Sequence, residues 1–82
     1  MESLFNVRAE IARKAQELSA WYVICFWRSP LDGKVEHRSG YFESSIEAKI
    51  FASMLERTYS EKKLPFCIDS NIEGLRMNKG LV

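Results

Sequence analysis

Histidine is nearly missing from this chain, with His37 the single one among 82 residues. A His-rich metal site and a catalytic histidine pair are thereby excluded. Cysteine is almost as scarce. Cys25 and Cys67 stand far apart with no C-x-x-C spacing, and they read as two reduced, mostly buried thiols. A disulfide between them requires that their strands be neighbours. No G-x-S-x-G, Gly-rich phosphate loop or H-E-x-x-H motif occurs. Neither charge predominates: twelve Lys and Arg face eleven Asp and Glu, a formal charge of +1. A dedicated nucleic-acid binder is usually more lopsided, because phosphate neutralisation supplies most of its affinity. The longest apolar run, Ala20 to Trp27, is eight residues, far short of the roughly 20 that span a bilayer. The opening MESLFNVRAE starts acidic and soon turns polar, unlike a signal peptide. The expectation is a cytoplasmic, non-enzymatic protein with no cofactor, metal or membrane segment.

What is present is an ordinary globular composition, 46% hydrophobic and 28% charged, in a chain long enough for one domain over 1–82. Leu4, Val7, Ile11, Ala15 and Leu18 recur at helical spacing and predict a helix over 3–19. The period changes at Trp21, where WYVICFW is a β-branched and aromatic run of strand length. SPLDGK supplies a turn, with Gly33 able to take the positive φ of a tight reversal, and VEHRSGYF is the return strand. These residues predict a hairpin of strands near 20–28 and 35–43.

Ser44 followed by Glu47 matches a capping box. It opens a helix over 45–62 whose stripe is Ile46, Ile50, Phe51, Met54 and Leu55. Pro65 closes that helix, and FCID predicts a third strand near 65–70. The remainder has little to bury, and 78–82 reads as a frayed tail. The fold class is α+β, a small antiparallel three-stranded sheet with two helices in the order α-β-β-α-β.

The first strand poses the functional question. Side chains alternate along a strand, so Trp21, Val23, Cys25 and Trp27 share one face, and Tyr22, Ile24 and Phe26 the other. The turn places Glu36, Arg38, Gly40 and Phe42 with the Trp face, and Val35, His37, Ser39 and Tyr41 with the Tyr22 face. Cys25 and His37 therefore point to opposite sides and do not form a nucleophile pair. Either the helices pack on opposite faces of the sheet, or one aromatic face is left for a partner. Because Glu36 and Arg38 share the Trp face, that face is the one expected to be partly exposed.

The stretch from Trp21 to Arg57 resembles the arm-type DNA-binding N-terminal domains of phage-type integrases. The resemblance rests on Trp21, Asp32-Gly33-Lys34, Arg38, Gly40, Phe42, Ser44 or Ser45, and Glu47-Ala48. It implies a hairpin that contacts nucleic acid, although a helix stands here where that fold has its first strand. AWYVIC, GYF and SSIEA are also similar, in that order, to a small cyanobacterial family of unknown function.

The residues point to a binding or regulatory module acting through a protein–protein contact on its aromatic hairpin, with another protein or a second copy as partner. Trp21, Tyr22, Trp27 and Tyr41 are the expected contacts and Arg38 the polar anchor, since aromatics and Arg dominate interface energetics. The alternative is nucleic-acid binding through Arg28, Lys34 and Arg38, where Trp27 and Tyr41 offer stacking surfaces.

Overall fold

Strand β1, Trp21–Arg28, is apolar on both faces and is buried from Tyr22 to Phe26. It can be satisfied only if something covers each side. The computed structural model, which describes residues 4–81, shows that each side receives one helix. Helix α1 (Leu4–Leu18) lies on the Tyr22 face, and α2 (Ser45–Glu61) on the Trp face. Between them β2 (Val35–Phe42), β1, β3 (Phe66–Ser70) and β4 (Met77–Lys79) form one antiparallel sheet in the order β2-β1-β3-β4. The architecture is α+β with two helices.

Two expectations are corrected here. The sheet has four strands rather than three, because β4 pairs with β3 through Cys67–Asn78 and Ile68–Met77. The Ser70 hydroxyl sets up this return by accepting from the Ile72 N–H at 3.1 Å and donating to the Leu75 carbonyl at 2.7 Å. Residues 78–81, expected in a frayed tail, thus include strand, and Leu81 is buried with the α1 cluster. Val82 and the expected helix start at Ser3 lie outside the described residues. The Trp face, expected to be partly exposed, is covered by α2 over Val23 and Cys25, while Trp27 is half-buried and Trp21 stays exposed. Glu36 and Arg38 stay solvated on it because they lie on β2, at the margin of that cover.

Each core is small and distinct. On the α1 side, Val7, Ile11 and Ala15 pack on Tyr22, Ile24 and Phe26. Leu18 does not join them: the chain turns at Ser19, whose φ of 52° ends the helix, and Leu18 stays exposed. On the α2 side, Ala48, Ala52, Leu55 and Tyr59 pack on Val23, Cys25, Phe66 and Ile68. Burying a side chain such as Ile24, Phe26 or Leu55 contributes about 1.5–3 kcal/mol. The two alanines, essentially inaccessible to solvent, let the α2 backbone approach the sheet closely.

A buried charge fastens the first helix. Asp69 faces the α1 side of β3, where its carboxylate accepts from Arg8 Nε and from Arg76 Nε, each at 2.7 Å. One carboxylate thereby ties α1, β3 and the connection to β4 with charge-assisted hydrogen bonds.

Ser44 is the N-cap of α2, its Oγ accepting from the N–H groups of Ile46 at 3.1 Å and Glu47 at 3.4 Å. Ser44→Ala is expected to lower stability by about 1 kcal/mol in urea denaturation. Ala52→Leu is expected to cost more, about 1–3 kcal/mol, by forcing the helix off the sheet.

Candidate interaction surface

The residues expected to form one aromatic contact face separate into different environments. Tyr22 is 6% exposed beneath α1, and burial, with Asp69 next in effect, raises its phenol above the ordinary value. Trp27 is half-buried and stacks on Tyr59 with ring centroids 4.5 Å apart. These two side chains serve the core. Trp21, at the start of β1 opposite Phe42, is 38% exposed. Tyr41 is half-buried on the α1 face with the Lys14 ammonium 5.6 Å from its ring centroid. Arg38 is exposed on the α2 face, its guanidinium 5.9 Å from the Phe51 centroid. Trp21, Arg38 and Tyr41 thus lie at the β2 side of the sheet, although on different faces of it.

The basic trio separates as well. Arg28 shares the Tyr22 face, pairs with Val35, and donates from Nη1 to the Gly33 carbonyl at 2.7 Å, bracing the turn. Lys34 is exposed in that turn, its N–H held by Asp32 Oδ1 at 2.9 Å. Arg38 points to the opposite face from Arg28, so the three cations do not share one face.

What the hairpin leaves open is its backbone. The Arg28 N–H donates to the Pro65 carbonyl at 3.3 Å, and the Tyr22 N–H to Asn71 Oδ1 at 2.8 Å. The even-numbered residues of β1 therefore turn their peptide groups toward β3, and the odd-numbered ones toward β2. Those odd residues pair with Phe42, Gly40, Arg38 and Glu36. The peptide groups of Val35, His37, Ser39 and Tyr41 consequently point outward, where the sheet has no further strand among the described residues. Pairing with β1 is one-to-one over all eight residues, and the strand contains neither a bulge nor a proline. The edge is straight and open. The opposite edge, β4, has only three residues.

The second open feature is part of the apolar stripe that helical spacing predicts for α2. Ile46, Ile50 and Met54 are 68%, 65% and 47% exposed, one row on the outer side of α2 flanked by Lys49 and Arg57. Helix α2 is apolar on two sides, and the sheet selects the side bearing the small residues. The mixed pattern of Ala48 and Ala52 against the larger aliphatics is the signal that this row faces outward.

Burial shifts both thiols away from the thiolate. Cys25 and Cys67 do lie on adjacent strands, but Cys25 belongs to the α2 cluster and Cys67 packs against the α1 cluster, so both are free. Burial, with Cys67 a smaller influence, pushes the Cys25 thiol up to about 12. Burial also raises Cys67, against a lowering hydrogen bond at Phe26. Among the described residues no three His, Cys, Asp or Glu side chains come together to hold a metal ion, and no helix is long and apolar enough to cross a membrane.

Because the thiolate is the nucleophile, Cys25 is expected to resist iodoacetamide at pH 8 in the folded protein and to react readily in denaturant. Mass spectrometry of the alkylated peptides checks this, and rapid native labelling of Cys25 would contradict its placement. No family model, curated protein or solved structure matches the chain.

Proposed function

We propose that this protein is a small non-enzymatic binding module that recognises another protein by taking an extended segment as an added strand along β2. The observation that carries the reading is the open edge at Val35, His37, Ser39 and Tyr41, four outward peptide units in a strand with no bulge or proline. An edge of this kind is a template for another chain, and folds that avoid such pairing usually shorten, kink or cover it. Backbone hydrogen bonds supply affinity in this mode, while side chains on either side of the edge supply selection. Tyr41 and His37 would meet the incoming strand on the α1 face, Arg38 and Phe42 on the α2 face, and Trp21 stands at the far end.

This keeps the hairpin as the contact element and moves the contact from its aromatic faces, which the helices occupy, to its margin. The placement of Arg28 and Arg38 on opposite faces weighs against the nucleic-acid alternative.

The test is selection of binders from a displayed library of random extended peptides, followed by amide-resolved NMR titration. Binders are expected to perturb His37, Ser39 and Tyr41 most. Ser39→Pro removes an outward N–H while sparing the ladder to β1, a change tolerated on edge strands, and is expected to weaken binding at least tenfold. Binders that map instead to Ile46, Ile50 and Met54 would contradict the reading.

A further inference from the structure

We infer that the strand added at β2 is the β2 of a second copy, paired antiparallel about His37. The inference rests on the strand-addition reading and names the partner for the same edge.

The charge pattern selects both partner and register. Only registers that bring outward peptide groups face to face make hydrogen bonds, which confines the two-fold axis to a few positions along the strand. An axis at Arg38 places that guanidinium opposite its own copy. An axis at Ser39 sets Arg38 against Gly40 and Glu36 against Phe42, leaving both charges without an opposite partner. An axis at His37 sets Glu36 directly opposite Arg38 of the second copy, and by symmetry does so twice. These pairs fall at the non-hydrogen-bonded positions, where facing Cα atoms are about 4.5 Å apart and side chains meet most closely. His37 then faces its own copy and Val35 faces Ser39, both in hydrogen-bonded positions.

Glu36 and Arg38 both point to the α2 face of an exposed strand. Opposite charges two residues apart on an edge are complementary to themselves when the strand is reversed. Charges of one sign there would repel a second copy and protect the edge.

The axis runs normal to the sheet, so both α2 helices fall on one side and both α1 helices on the other, and the layers continue across the junction. The interface is isologous and uses up the long edge of each copy. The remaining edges are the three-residue β4 strands, so assembly stops at two. The paired stretch is short, which places the dimer among small, concentration-dependent interfaces.

Sedimentation equilibrium across a concentration series tests the proposal, with circular dichroism confirming that each variant is folded. The wild-type protein is expected to dimerise reversibly. Arg38→Glu places two carboxylates opposite each other at both positions, and Glu36→Arg places two guanidinium groups there. Each is expected to weaken dimerisation at least tenfold. The double variant Glu36→Arg/Arg38→Glu is expected to return within about threefold of wild type. Mixing the two single variants is expected to give a heterodimer, because only in the mixture do opposite charges face each other. A double variant and a mixture that both fail to recover would overturn the register. A wild-type protein that stays monomeric at millimolar concentration yet takes up a library-selected peptide along His37–Tyr41 would overturn the second copy as partner and leave strand addition standing. A monomer that takes up no peptide there would remove both.

Discussion

The burial of β1 on both faces is the constraint from which the rest of the molecule follows. A strand reading Trp-Tyr-Val-Ile-Cys-Phe-Trp has no polar side to offer water. Two helices must cover it, one from before it in the chain and one from after the hairpin. Once both are committed to the faces, neither is free to shield an edge. The chain closes one side of the sheet with β3 and a short β4, and it leaves β2 as the long outer strand. The open edge of β2 is therefore the structural consequence of an over-apolar central strand in a chain with two helices.

The attachment of the two helices differs in kind. Helix α2 approaches closely through Ala48 and Ala52 and is locked by aromatic stacking of Tyr59 on Trp27. Helix α1 offers the shorter apolar row of Val7, Ile11 and Ala15, and gains a charged tether, Arg8 on the buried Asp69. Only the carboxylate is buried, the Arg8 side chain being 42% exposed, so the tether's main role is to satisfy Asp69, which would be costly to leave unpaired.

Much of this fold was legible in the sequence, because its signals are local. The change of period at Trp21, the Asp32-Gly33 turn and the Ser44 cap each specify a backbone event within a few residues, and each element begins and ends close to its expected place. Strand β4 was not legible. Met77, Asn78 and Lys79 show no alternation, and the strand is held by backbone pairing and by a serine hydroxyl eight or so residues away. The inward side of α2 was not legible either: helical spacing permits two apolar rows there, and the distance to the sheet, which decides between them, is a tertiary quantity.

The candidate surface divides the same way. Arg38 and Tyr41 were singled out as residue types suited to interfaces, and they do flank the open margin. The margin itself is made of peptide groups, which every residue carries and no side-chain pattern advertises. It becomes visible only when strand order and hydrogen-bond direction are known. The most direct measurement is amide hydrogen exchange along β2 at a concentration where sedimentation shows a monomer. Protection should alternate residue by residue, with Glu36, Arg38, Gly40 and Phe42 slow because they bond to β1, and His37, Ser39 and Tyr41 fast because they face water. Uniform protection along the strand in the monomer would mean that something within the chain already covers this edge, and the account of an open strand would be wrong.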